Sequence, residues 1–156
     1  METAYIKTPL GIAKIVGDED GVSVISVLDE GIISETIPSI LKETVSQLND
    51  YFEGKRIDFT FKLNPFGTEF QQKVWKGLLE IPFGKTMSYL ELSKKLGDVK
   101  AIRAVASANG KNPLWIAVPC HRVIGTDGSL TGYAGGLWRK KWLLEHENPS
   151  TQQILF

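Results

Sequence analysis

Ile116-Ala117-Val118-Pro119-Cys120-His121-Arg122-Val123-Ile124 sets a polar triplet inside an apolar run, and the reading of the chain turns on it. The triplet holds the only cysteine of the 156 residues, one of two histidines, and an arginine. Apolar β-formers on both sides predict a buried strand that delivers Cys120 to an edge. Pro119, with no N–H and a fixed φ, suits a strand end and not a strand centre. A lone cysteine is more often an inert, buried, small hydrophobe than a nucleophile. Here the neighbours matter: the thiolate is the reactive form, and cations such as protonated His121 or Arg122 are expected to lower a thiol pKa from about 8.5. Adjacent side chains on a strand face opposite ways, so contact between Cys120 and His121 requires a turn or a bridging water.

Downstream, residues 125–136 contain five glycines in twelve positions, a loop able to bring backbone N–H groups close to a ligand. No Lys-Ser/Thr follows, which excludes a phosphate-binding P-loop. A helix is expected from Leu137 to Glu147, with Trp138, Trp142 and Leu143 against the domain. It ends in Glu145-His146-Glu147, where a carboxylate can orient His121 as a third group orients a catalytic base.

Upstream, Thr68-Glu69-Phe70-Gln71 and Ser88-Tyr89-Leu90-Glu91 are capping boxes that open two helices. Phe70, Val74, Leu78 and Ile81 share one face of the first and read as core. Ile81-Pro82-Phe83-Gly84 breaks that helix, and Gly97 ends the second. Asp98 can cap a third helix, residues 99–109, and two short helices joined by a glycine-containing turn describe a helix-turn-helix. The third helix is rich in small residues, with Arg103 the one long charged side chain in its middle. Together with Lys85, Lys94, Lys95, Lys100 and Lys111 it points to DNA.

Residues 1–63 read as a small α/β scaffold domain without a catalytic cluster. Residues 4–7, 11–16 and 22–28 are β-prone, with a turn at 17–21 that makes a hairpin or meander. Ser39 is the expected N-cap of a helix to about Glu53, Gly54 its C-terminal stop, and Ile57–Phe61 an edge strand. Asn64-Pro65-Phe66-Gly67 reads as the linker, giving domains 1–63 and 64–156. The first carries 6 Lys/Arg against 11 Asp/Glu, a net of −5, and the second 12 against 7, a net of +5. That asymmetry hides behind a net charge of zero and suits an anionic partner for the second half. One cysteine excludes an intrachain disulfide, and no CxxC or HExxH spacing suggests a metal. There is no signal-peptide layout and no apolar run near the roughly 20 residues that span a bilayer. A soluble, cytoplasmic protein with a reduced thiol is expected.

In this order, Ile81-Pro82-Phe83-Gly84, Ser88-Tyr89, Arg103-Ala104-Val105 with Asn112-Pro113, Pro119-Cys120-His121-Arg122-Val123, and Gly132-Tyr133 to Gly136 with Trp142–Glu147 resemble the O6-alkylguanine-DNA alkyltransferases, also called methylated-DNA–protein-cysteine methyltransferases. The resemblance implies a ribonuclease-H-like α/β N-terminal domain, then a mainly α C-terminal domain with a winged-helix-like helix-turn-helix. It implies irreversible, single-turnover transfer of an alkyl group from O6-alkylguanine in DNA to Cys120, and leaves open whether O4-alkylthymine is also a substrate. His121 would take the thiol proton through a water, Glu147 would hold the imidazole, and Tyr89 would protonate guanine N3. Asn112 would brace the turn before the active-site strand. Val123, Tyr133, Ala134 and Gly135 would surround the base, with Ala where relatives often have Ser, which keeps the N–H and removes a hydroxyl. Lys100, Ala101, Arg103, Ala104 and Thr126 would contact double-stranded DNA through the minor groove, Arg103 filling the gap left by the flipped nucleotide. No cofactor and no metal are implied, and the protein would act as a monomer. The alternatives are a catalytically silent alkyl-lesion binder, against which Cys120 itself argues, a helix-turn-helix regulator that leaves Cys120 unmodified, and a Cys–His hydrolase that turns over.

Overall fold

Alternation of buried and half-buried residues along Glu2–Thr8 (β1), Gly11–Asp18 (β2) and Gly21–Leu28 (β3) builds an antiparallel meander in the order β1-β2-β3. A computed structural model describes residues 1–128, 133 and 135–149. Ala4, Ile6, Ile15 and Ile25 line the buried side of the sheet, with Ile15 paired to Ile25 across β2 and β3. A single 3-10 turn, Ser39–Leu41, precedes helix α1, Lys42–Phe52. Ser39 is therefore not the N-cap: it already lies inside a helical turn, and Leu41 takes the cap position without a side-chain bond. Gly54, at φ +77°, stops the helix as expected.

The expected edge strand at 57–61 does not form. The Thr60 N–H donates to Gln47 Oε1 (2.9 Å) and Gln47 Nε2 to Thr60 Oγ1 (2.7 Å), so a side chain takes the place of a ladder. Phe59 packs on Tyr51 and Phe61, with ring centroids 5.6 and 5.5 Å apart. The domain boundary also moves. The chain divides into a unit of Met1–Phe66 with Pro113–Ala117 and a unit of Gly67–Asn112 with the chain from Val118 onward. Residues 113–117, read into the second domain, join the first because Ile25 N–H donates to Pro113 O and Trp115 N–H to Ile25 O, each at 2.9 Å. The Asn64 N–H donates to Val22 O (2.7 Å), which carries 64–66 with them.

In the second unit, Glu69–Leu78 (α2) and Tyr89–Lys95 (α3) open on complete capping boxes at Thr68 and Ser88. Met87–Ser88 (β4) lies just before α3, and Ile102–Gly110 (α4) follows a 3-10 turn, Val99–Ala101, capped by the Asp98 carboxylate on Lys100 N–H. Trp75 Nε1 donates to Ala108 O at 2.9 Å and ties α2 to α4. Val74, Leu78, Leu92 and Val105 fill the space between these helices. The last helix, Leu137–Glu147, follows Val123–Ile124 (β5), which pairs in parallel with β4; we number the helix α5.

Three expectations fail here for physical reasons. Phe70 is 39% exposed because it stands in the first turn of α2, beyond the reach of the core that Val74 and Leu78 enter. Trp138 is 56% exposed and lies over the Arg139 guanidinium, 4.5 Å from Cζ to the ring centroid. The predicted strand 116–124 is broken. Ile116 has φ +70°, and Ala117 N–H closes on Trp115 O (2.8 Å) in a strained γ-turn. Pro119, at φ −81° and ψ 64°, makes the inverse γ-turn in which Cys120 N–H donates to Val118 O (2.8 Å). Only Val123 and Ile124 remain extended in a ladder. Among the described residues no helix is long and apolar enough to cross a membrane.

Candidate active site

Cys120–Arg122 form a 3-10 turn, which frees Cys120 and His121 from the opposite-face geometry of a strand. His121 is fully buried, and its Nε2 is 2.7 Å from Glu147 Oε2. An ionised carboxylate only accepts, so Nε2 carries the proton and Nδ1 keeps its lone pair. Nδ1 is buried and meets no hydrogen-bond partner among the described residues. Arg122 grips the same carboxylate with both arms of its fork, Nε to Oε1 at 2.8 Å and Nη2 to Oε2 at 3.0 Å. Its remaining arm, Nη1, donates to Ile81 O at 2.7 Å.

The resting charges follow from these contacts. Burial opposes ionisation of Glu147, but His121 and Arg122 outweigh it and hold the carboxyl far below the usual carboxylate range. Burial pushes the His121 imidazole down, against the pull of Glu147, so the ring is neutral and able to accept a proton. For Cys120 the expectation from sequence reverses. Burial pushes its thiol up, and Asn112, the Lys140 charge and the Tyr133 hydroxyl only moderate that rise. Arg122, expected to lower the thiol pKa, is engaged with Glu147 instead. The sulfur is a thiol at rest and needs a base.

The Ile81-Pro82-Phe83-Gly84 block is the collar of this network. Ile81 receives Arg122, the Phe83 ring lies 5.8 Å from Arg122 Cζ, and Gly84 O accepts from Asn148 Nδ2 at 3.2 Å. Gly84 has φ +81°, and a Cβ there would stand 3.3 Å from Glu147 O, so a side chain would be both strained and crowded. Asn112 Nδ2 donates to Val118 O at 2.7 Å, bracing the chain just before the Pro119 turn. Lys140 is fully buried, its ammonium 6.0 Å from the Tyr89 ring centroid, with its pKa lowered by burial to about 8 and supported by Cys120. Lys140 thus stands within electrostatic reach of both the Tyr89 ring and Cys120.

Two family descriptions cover nearly all of this chain. Residues 1–65 match the 6-O-methylguanine DNA methyltransferase ribonuclease-like domain, and residues 69–149 the DNA binding domain of the same proteins. The chain belongs to the 6-O-methylguanine DNA methyltransferase family. It is 44% identical over 154 residues to a methylated-DNA–protein-cysteine methyltransferase of Methanosarcina acetivorans, covering 94% of this chain and 98% of that protein. It is similar in structure to a Mycobacterium tuberculosis OGT in complex with DNA, with a TM-score of 0.86, 42% identity, and coverage of 96% and 94%. An O6-methylguanine DNA methyltransferase from Methanococcus jannaschii aligns with a TM-score of 0.68 at 28% identity over 92% of each chain.

Of the remaining residues expected from that family, Val123 is buried in β5, while Tyr133 and Gly135 are half-buried. Gly135 O accepts from Arg139 Nη1 at 2.9 Å, which ties Gly135 to α5. Ala134 lies outside the described residues. Of the residues expected to meet DNA, Lys100 and Ala101 lie in the 3-10 turn before α4, Arg103 and Ala104 in the first turn of α4, and Thr126 in the loop after β5; all are exposed except half-buried Ala101. The opposite face of α4 buries Val105, Ala108 and Asn109. Sequence reasoning assigned no role to Lys140, to the Arg122 clamp, or to Asn109. Lys140 hides in a basic run that reads as solvated, although its spacing of three, four and seven from Leu143, Leu144 and Glu147 places it on the buried stripe of α5.

Proposed function

We propose that the chain repairs alkylated DNA by moving the alkyl group from O6 of guanine onto Cys120 Sγ, once per molecule. The observation that carries the reading is the buried relay Arg122–Glu147–His121 beside a buried thiol. Glu147 fixes the imidazole with Nδ1 bare, and Nδ1 takes the thiol proton through a water as sulfur attacks the alkyl carbon. The S–C bond forms while C–O6 breaks, and Tyr89 gives a proton to N3 so that guanine leaves neutral. The Lys140 charge favours the thiolate while it exists. A thioether has no easy return path, which makes the protein a stoichiometric reagent.

O6 lies inside the base stack, so the nucleotide must be turned out of the duplex at a cost of a few kcal/mol. Exposed Arg103 on a small-residue helix face is suited to filling the gap, with α4 in the minor groove and one protein molecule per lesion. A cytoplasmic location keeps the thiol reduced. Titration with a duplex carrying a labelled O6-methylguanine tests the reading. The label should saturate at one per chain and remain on the peptide containing Cys120, and Cys120→Ala should bind the duplex without taking label. Release of product beyond one per chain would reveal a hydrolase, and label on Cys120→Ala would place the acceptor elsewhere.

A further inference from the structure

Asn109 is 2% exposed on the inward face of α4. Its Nδ2 stands 3.4 Å from Tyr89 Oη, and its Oδ1 is buried with no hydrogen-bond partner among the described residues. Neither the helix nor the core calls for this residue. Asn is a poor helix former, and a buried amide with an unsatisfied acceptor is less stable there than an apolar side chain of similar size. Buried amides kept for structure are normally satisfied at both ends. The contact this one does make is to the phenol proposed to protonate the leaving base.

We propose that Asn109 is a positioning residue for the proton transfer to the leaving base: by donating to Tyr89 Oη it occupies a lone pair of that oxygen and leaves the phenolic hydrogen for the purine. The inference rests on the alkyl-transfer reading above. When the thiol proton passes to His121 Nδ1 and the phenolic proton to purine N3, the S–C bond has formed, C–O6 has broken and guanine is neutral. The site is left with an imidazolium and a phenolate, which neutralise by return of the proton through solvent. An N–H donated to a phenolate is shorter and stronger than one donated to a phenol. The long resting contact therefore tightens as charge develops, which makes it the kind of interaction that raises rate and not merely affinity. The buried Lys140 ammonium, 6.0 Å from the same ring, favours the same negative charge.

The test uses single-turnover transfer from O6-methylguanine duplex, with iodoacetamide alkylation of Cys120 as the comparison reaction, since the latter expels no purine. Asn109→Leu should slow transfer by about ten- to hundredfold, the worth of one hydrogen bond to a developing charge. It should leave the iodoacetamide rate and the melting temperature at or above wild type. In a Tyr89→Phe background the same change should add nothing. Asn109→Asp supplies a carboxylate that accepts and cannot donate, so it should also be slow. Its rate relative to wild type should rise as pH falls and the introduced carboxyl gains a proton. Equal losses in both reactions, a further loss in the Tyr89→Phe background, or a fully active Asn109→Asp would each overturn the proposal. A wild-type protein that takes no methyl group would overturn this inference together with the reading beneath it, whereas normal wild-type and Tyr89→Phe behaviour with indifferent Asn109 variants would remove only this inference.

Discussion

Thr8, Ser23, Thr44 and Gln47 are the polar side chains buried among the described residues of the first unit, and none of them carries a charge. The second unit buries His121, Arg122, Arg139, Lys140 and Glu147. Both units have an apolar core of comparable kind, built from branched residues at the expected spacings. The difference is what each core is asked to enclose. Burying an ionised group costs several kcal/mol, and a buried pair is commonly no more stable than apolar residues of the same volume. A fold that needed stability alone would be served by the first solution. The second unit places ionisable groups around one thiol, and the proposed transfer gives each of His121, Arg122, Glu147 and Lys140 a part in holding, receiving or balancing the charge that arises when that thiol reacts.

Substitutions can break this contrast, and the largest effect should come from Glu147→Gln. It strands the Arg122 guanidinium in the interior, which is expected to cost about 3–5 kcal/mol. It also takes away the negative charge that steadies the imidazolium and leaves one amide oxygen for both Arg122 and His121, so transfer to Cys120 should fall by about a hundredfold or more. Chemical denaturation and single-turnover kinetics read the two losses separately. The wild-type pH dependence of stability carries the same signature. Glu147 has a folded pKa below its unfolded value of about 4.3, so its contribution is present above that pH and is lost as pH falls further. His121 is also lowered by burial, and below its unfolded value of about 6.5 the unfolded chain gains a proton that the native state refuses. Stability should therefore decline in two stages on acidification, and Glu147→Gln should remove the lower one.

Arg103→Ala sharpens the comparison from the other side, because Arg103 is exposed, stands outside the buried network and is proposed to meet DNA. Its loss should slow repair of duplex by about tenfold or more, the weight of about 1.4 kcal/mol out of the few that base flipping costs. Reaction with free O6-benzylguanine and the melting temperature should stay near wild type; equal losses on both substrates would end its assignment to flipping. Lys140→Met should raise stability by about 3 kcal/mol at neutral pH, since the ammonium is held against a depressed pKa of about 8. In the wild type that penalty is relieved as pH rises from about 8 toward the unfolded value of about 10.4, so the variant should flatten this rise while reacting more slowly at Cys120. A variant both less stable and equally reactive would show that Lys140 belongs to the packing. At the small end, Glu53→Gln removes the surface partner of Lys55 in the first unit and should change neither melting temperature nor transfer.

Local signals were legible where the physics is local. Both capping boxes, the glycine stops at Gly54 and Gly97, the Asp98 cap and the span of α5 are dictated within a few residues and stand as read. The family blocks placed Cys120, His121 and Glu147 in one site although α5 lies far along the chain. What could not be read was decided by partners distant in sequence. Gln47 replaced a ladder at Thr60, Ile25 drew residues 113–117 into the first unit, and two γ-turns broke a run that looked like a strand. The same is true of the thiol. Neighbouring cations in sequence suggested a low pKa, but Arg122 points its charge at Glu147, and burial governs Cys120.

The central claim is that this buried network exists to make one sulfur accept one alkyl group. Intact-mass analysis of the protein after mixing with excess O6-methylguanine duplex tests it directly. The account predicts that every chain gains a single methyl group, on Cys120, with no second addition however long the incubation. An unchanged mass, or a protein that returns to its original mass while guanine continues to accumulate, would contradict it.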